Sequence, residues 1–132
     1  MKRFHLIFGL VVVIVFLLTG QYMDRFHNHL QGMNDGPRLL YRTRHIFILL
    51  SGLIHLGLGS YFQYRLHPWL RILQILGSAF ITIASILFMI AFFYEPNLDR
   101  LYAPLSLCGM ILIAIGTLLH LLSGVKEARQ RS

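Results

Sequence analysis

Residues 70–94 read LRILQILGSAFITIASILFMIAFFY, twenty-five positions holding one cation, Arg71, and no acid. A helix crosses the hydrocarbon layer of a membrane in about 20 residues, so this stretch is long enough to span. Its polar residues are not scattered. Gln74, Ser78, Thr82 and Ser85 recur at helical spacing and leave the other faces aliphatic or aromatic. A soluble helix keeps a charged face for water, and this stretch has none.

Three further blocks have the same character. The expected spans are 4–21, 44–63, 70–94 and 101–124, followed by a basic tail at 125–132. Across the 132 residues, 56% are hydrophobic and 13% are charged. A soluble domain carries about 25% charged residues, so the deficit favours a membrane protein of a single domain. Lys2 and Arg3 ahead of the first block also suit a signal peptide. The long apolar region and the poor cleavage site after it favour an uncleaved span.

Between the first two spans, Tyr22, Phe26, Leu30 and Met33 fall at helical spacing, with Asp24, Arg25, His27, Asn28 and Gln31 opposite. That pattern predicts a helical extension of the first span or a short helical segment lying in the interface. Asn34-Asp35-Gly36-Pro37 then signals a turn, and Pro37 suits the first turn of the next helix. His67-Pro68 and Glu95-Pro96 mark the later connections, because the residue before proline disfavours helix. Both connections are short. The expected fold is therefore an all-α integral membrane protein, an antiparallel four-helix transmembrane bundle.

The net charge of +7 is distributed in a way that suggests orientation rather than nucleic-acid binding. Lys2, Arg3, Arg65, Arg71, Lys126, Arg129 and Arg131 flank one side; Arg25, Arg38, Arg42, Arg44 and Arg100 flank the other. The larger group belongs to the cytoplasmic side, which places both termini in the cytoplasm and suggests a bacterial inner membrane. Lys126, Arg129 and Arg131 are expected to meet anionic headgroups.

Polar residues inside a span are costly and tend to face the interior. The expected polar interior comprises Arg44, Ser51 and His55 on the second helix and Gln74, Ser78, Thr82 and Ser85 on the third. Thr117 and His120 on the fourth complete it, with Gly59, Gly109 and Gly116 letting helices approach. The first helix offers only Gly9 and Thr19, so it is expected to be the most lipid-exposed, with Phe8, Val12 and Val15 as a lipid- or partner-facing stripe. Arg38, Arg42, Arg44 and His45 are available to hold a headgroup or the acidic loop of Glu95 and Asp99.

His55 and His120 are the candidate pair for a haem b, whose iron takes two axial imidazoles. Counted from the inner helix ends, they lie about 13 Å and about 7 Å deep at 1.5 Å per residue, a mismatch of roughly one turn. His5 and His45 have no evident mate at their own levels. Asp24 with His27 is a candidate for a metal, short of the four ligands of a structural zinc site. The lone Cys108 excludes an internal disulfide.

The expected spans contain no Asp or Glu, which argues against proton-coupled export through an intramembrane carboxylate. No mid-span proline breaks a helix, and the loops are too short for a catalytic domain. The leading expectation is a non-enzymatic accessory, assembly or stabilising subunit of a larger membrane complex, without a cofactor, partnered by another membrane protein or by its own copy. Two alternatives stand beside it: a haem-b or quinone-linked redox protein using His55 and His120, and a lipid or small-molecule binder.

Overall fold

The computed structural model describes residues 1–97 and 103–131, with side-chain surroundings as far as residue 125. Asp99, Arg100 and the first residues of the expected fourth span, Leu101 and Tyr102, lie outside the described residues, as do the side chains of Lys126, Arg129 and Arg131. The fold is a helical bundle with no strand among the described residues. Its four long helices are α1 (Lys2–His27), α2 (Asp35–Tyr61), α3 (Pro68–Tyr94) and α4 (Pro104–Arg131). Single 3₁₀ turns at Asn28–Leu30 and Glu95–Asn97 follow α1 and α3.

Local chemistry sets these boundaries. Pro68 opens α3 after an extended His67, where a missing N–H costs nothing. Of the two readings of the first connection, the helical extension is the one seen, and the interfacial segment is not a separate helix. α1 runs unbroken through His27 and ends where Asn28, His29 and Leu30 all take positive φ, at 44°, 55° and 62°. Leucine rarely adopts that conformation. Burial of the Leu30 side chain in the core beside Tyr41 holds it there.

α1, α3 with its 3₁₀ turn, and α4 are long and apolar enough to cross a membrane. α2 matches them in length but carries Arg38, Arg42, Arg44, His45 and His55, which lower its hydropathy below theirs.

α1 packs against α2, and glycine governs the contact. A Cβ at Gly59 would lie 2.6 Å from the Leu6 side chain, and one at Gly9 would lie 2.9 Å from the Leu56 backbone nitrogen. Gly52 meets Val12 and Gly20 meets His45, so position falls along α2 as it rises along α1. This corrects the choice of Phe8, Val12 and Val15 as the lipid- or partner-facing stripe of α1. His5, Gly9, Val12 and Thr19 form a buried face; Val12 is wholly buried, and Phe8 and Val15 pack on the same core. The outward flank is Ile7, Leu10, Val11, Ile14, Leu17 and Leu18. α3 and α4 meet equally closely, because Cβ atoms at Gly77 and Gly116 would each lie 2.8 Å from the other's carbonyl oxygen.

At the end of the bundle where α3 stops, Glu95 is buried rather than looped out, with 0% exposure. It accepts from Arg44 Nε at 2.7 Å, from the Ser106 backbone N–H at 2.9 Å and from Ser106 Oγ at 2.6 Å. One carboxylate thus neutralises the cation of α2 and occupies the positive N-terminal end of α4. Burying either charge alone would cost several kcal/mol, roughly 3–5 for a broken buried pair.

Candidate functional site

At the opposite end, four helices contribute one side chain each to a continuous hydrogen-bonded chain. His5 of α1 and His55 of α2 are both fully buried, and their Nδ1 atoms lie 2.8 Å apart. The other nitrogen of His5, Nε2, lies 3.0 Å from Ser78 Oγ on α3. Ser78 Oγ in turn lies 3.1 Å from His120 Nε2 on α4. The order is therefore His55–His5–Ser78–His120. Gly9 makes the first link, since the place of its missing Cβ is 3.0 Å from His55 Cβ.

Aromatic rings wall the chain in. Phe8 packs on His55 with ring centroids 4.7 Å apart, and Phe62 approaches His5 at 5.7 Å and His120 at 6.2 Å. The direct His5–His55 contact sets the ring centroids 5.0 Å apart at an angle of 31°. A neutral imidazole has one donor and one acceptor nitrogen, and a hydroxyl serves as both. Every link is satisfied when all donors point toward His55, and equally when all point toward His120.

The sequence gives His5 no mate, yet it is the central member. A depth count treats each helix separately, whereas the α1–α2 crossing at Gly59 and Gly9 brings His5 beside His55. The depth mismatch between His55 and His120 is also resolved. His5 and Ser78 occupy the interval between them.

The remaining expected interior residues have other roles. Ser51 donates to Ile48 O at 2.9 Å, Thr82 to Ser78 O at 2.8 Å and Ser85 to Ile81 O at 3.0 Å. These hydroxyls close on their own helices and so do not bridge between helices. Thr117 is exposed, facing away from the interior. Arg44 belongs to the Glu95 cluster and is remote from the histidines in the chain. His45 has a partner after all: its Nδ1 lies 3.0 Å from Thr19 Oγ1, and its ring stacks on Phe16 at 4.1 Å. Asp24 pairs with His29 Nε2 at 2.6 Å instead of with His27, because the backbone turns left-handed at Asn28. Among the described residues, no third metal-ligating side chain joins them.

Two cavities adjoin the chain. One, of about 310 Å³, lies where α2 ends and α3 begins, and is lined by His120, Gln74, Gln63, Arg65 and Tyr61 among others. The second, of about 340 Å³, is an apolar groove between α1 and α3, with Ser78 in its wall beside Phe4 and Ile75. Ser78 and His120, 3.1 Å apart, each belong to a different cavity.

Comparisons with protein-family models, with curated proteins and with solved structures find no match to this chain.

Proposed function

We propose that the chain is an antiparallel four-helix transmembrane bundle of a bacterial inner membrane, with both termini cytoplasmic. In this reading it serves as a non-enzymatic accessory subunit that contributes a buried histidine–serine proton relay to a larger membrane complex. The observation that carries the reading is the chain from His120 through Ser78 and His5 to His55. A buried imidazole is expensive in a membrane, and two fully buried ones joined through Ser78 to a half-buried third, with no carboxylate partner among the described residues, are hard to explain as packing alone.

The proton balance closes with an acceptor from the partner complex at the His55 end. A proton taken up at His120 Nδ1 allows the Nε2 proton to pass to Ser78 Oγ. The hydroxyl proton moves to His5 Nε2, the Nδ1 proton of His5 moves to His55 Nδ1, and the Nε2 proton of His55, which is buried without a hydrogen-bond partner among the described residues, passes to an acceptor that the partner complex supplies. Each group ends neutral with its tautomer reversed, so no buried charge persists between transfers.

The pairing of positions along α1 with α2, and of Gly77 with Gly116 and Phe88 with Gly109 along α3 and α4, supports the antiparallel arrangement. Neutralisation of Arg44 by Glu95 removes the main electrostatic objection to α2 as the fourth span. The haem-b alternative is less well supported, because His5 and Ser78 fill the space an iron and its macrocycle would need between His55 and His120.

The test is proton exchange of the histidine rings in bilayers, read by nitrogen-15 resonance. Ser78→Ala should leave His120 exchanging with water and slow exchange at His5 and His55 by about tenfold, the rate equivalent of one lost hydrogen bond. Unchanged exchange at His55 in a folded Ser78→Ala protein would rule the relay out.

A further inference from the structure

The groove of about 340 Å³ between α1 and α3 is apolar along its length and ends beside a cation. Phe4 of α1 lines one side, and Ile75, Ala79 and Ile83 of α3 line the other. Two hydroxyls lie in the wall, and both are already engaged. Thr82 donates to Ser78 O at 2.8 Å, and Ser78 Oγ sits between His5 and His120. The wall therefore offers an occupant burial without hydrogen bonds, which suits a hydrocarbon chain. The length suits one too. From Ile75 to Ile83 a helix rises about 12 Å at 1.5 Å per residue, close to half of a hydrocarbon core about 30 Å thick.

The charged end lies at Met1. Met1 lines the groove, and its amino nitrogen donates to Tyr64 Oη at 3.0 Å. The Arg71 guanidinium stands over the same tyrosine ring, 5.0 Å from its centroid. Arg71 precedes Ile75 by one helical turn, so it shares the groove side of α3. Its side chain is exposed, and among the described residues the Tyr64 ring is the guanidinium's only partner. A contact over a ring face leaves the planar fork of N–H donors open to an anion. Exposed Tyr64 and Trp69 mark this end as the level of a membrane interface. Lys2 and Arg3 lie at the same end by sequence and add to the field that draws anions.

We propose that this groove holds one acyl chain of an anionic phospholipid, with the lipid phosphate on the Arg71 guanidinium. Charge complementarity selects the occupant. An apolar groove that ends at an open guanidinium matches a molecule with a chain at one end and an anion at the other. The assignment is independent of the histidine relay, because both wall hydroxyls keep their partners when the lipid is bound.

The experiment uses the full chain in nanodiscs of phosphatidylcholine doped with phosphatidylglycerol, with retained lipid read by native mass spectrometry after release. The wild type should retain phosphatidylglycerol over phosphatidylcholine by about fivefold, the discrimination one interfacial cation supplies. Arg71→Gln, at an exposed position, should remove that preference. Ala79→Phe fills the groove and should release both lipids. The lipid's position is read separately, so that a folding defect in the Ala79→Phe protein does not decide the matter. A phosphatidylglycerol with a photoactivatable diazirine midway along its chain should label Phe4, Ile75 and Ile83 in preference to Leu10 and Ile14 on the outward flank of α1. Equal retention of the two lipids by the wild type, or a preference that survives Arg71→Gln, would overturn the proposal. Labelling confined to the outward flank would do the same. Dimers in the mass spectra with no lipid retained would give the groove to a second copy of the chain and overturn it as well.

Discussion

His5 Nδ1 and His55 Nδ1 face one another at 2.8 Å, so one ring donates to the other and their tautomers are tied. Because His5 also meets Ser78 through its second nitrogen, that tie extends to His120 on α4. Removing one ring should therefore alter its partners as well as itself. His5→Phe keeps a planar ring but breaks two links. In bilayers it should shift the ring nitrogens of both His55 and His120, whereas His45→Phe, at the Thr19 contact, should leave those resonances in place. An unshifted His120 in the His5→Phe protein would contradict the coupling.

The Arg44–Glu95 pair should behave as a buried ion pair. Arg44→Met or Glu95→Gln alone should destabilise the bundle by about 3–5 kcal/mol, with the combined change costing less than the sum. Reversible unfolding in mixed micelles measures this. Additive losses would show that the two residues act independently.

Glycines at close helix contacts should tolerate nothing larger, while an uncrowded glycine should tolerate a methyl group. Gly77→Val directs its side chain at the Gly116 carbonyl and should cost about 1–3 kcal/mol through overpacking. Gly57→Ala meets nothing within 4 Å and should gain up to about 1 kcal/mol of helix propensity. The same unfolding assay distinguishes them by sign.

The two faces of α1 should separate stability from partner binding. Val12→Ala empties a fully buried site and should cost on the order of 2 kcal/mol. Leu10→Ala with Ile14→Ala, on the outward flank, should leave unfolding nearly unchanged and reduce recovery of the partner from cross-linked native membranes. Loss of partner only with Val12→Ala would place the contact elsewhere.

The proposed topology predicts that reporters at both ends agree. A fluorescent protein fused after Ser132 should be bright and a periplasmic phosphatase fused there inactive, with the reverse for insertion at Gly32. The opposite pattern would invert the orientation and place the Arg71 end of the groove outside.

Much of this architecture is legible in the sequence where polar residues stand out against aliphatic ones. Gln74, Ser78 and Ser85 mark a face of α3, and Arg44, Ser51, His55 and Gly59 a face of α2; all of these residues are buried. α1 gives no such signal. It is apolar on all sides, so His5 and Gly9 alone do not reveal that Val12 faces inward. Glu95 was legible as a partner for Arg44 but not as a buried group. The following Pro96 reads as a loop, and nothing local indicates that the N-terminus of α4 returns to receive the carboxylate. The site was half legible. His55, Ser78 and His120 are visible as interior candidates, but the link through His5 depends on where α1 crosses α2, a relation between segments that spacing within one helix does not carry.

The most direct measurement is the nitrogen–nitrogen coupling across the His5–His55 hydrogen bond, in bilayers, with nitrogen-15 histidine. The account predicts a resolved coupling between the two Nδ1 atoms, and Ser78→Ala should preserve it while releasing His120 from the common response. Absence of the coupling in the folded wild-type protein, with both rings titrating independently, would contradict the account.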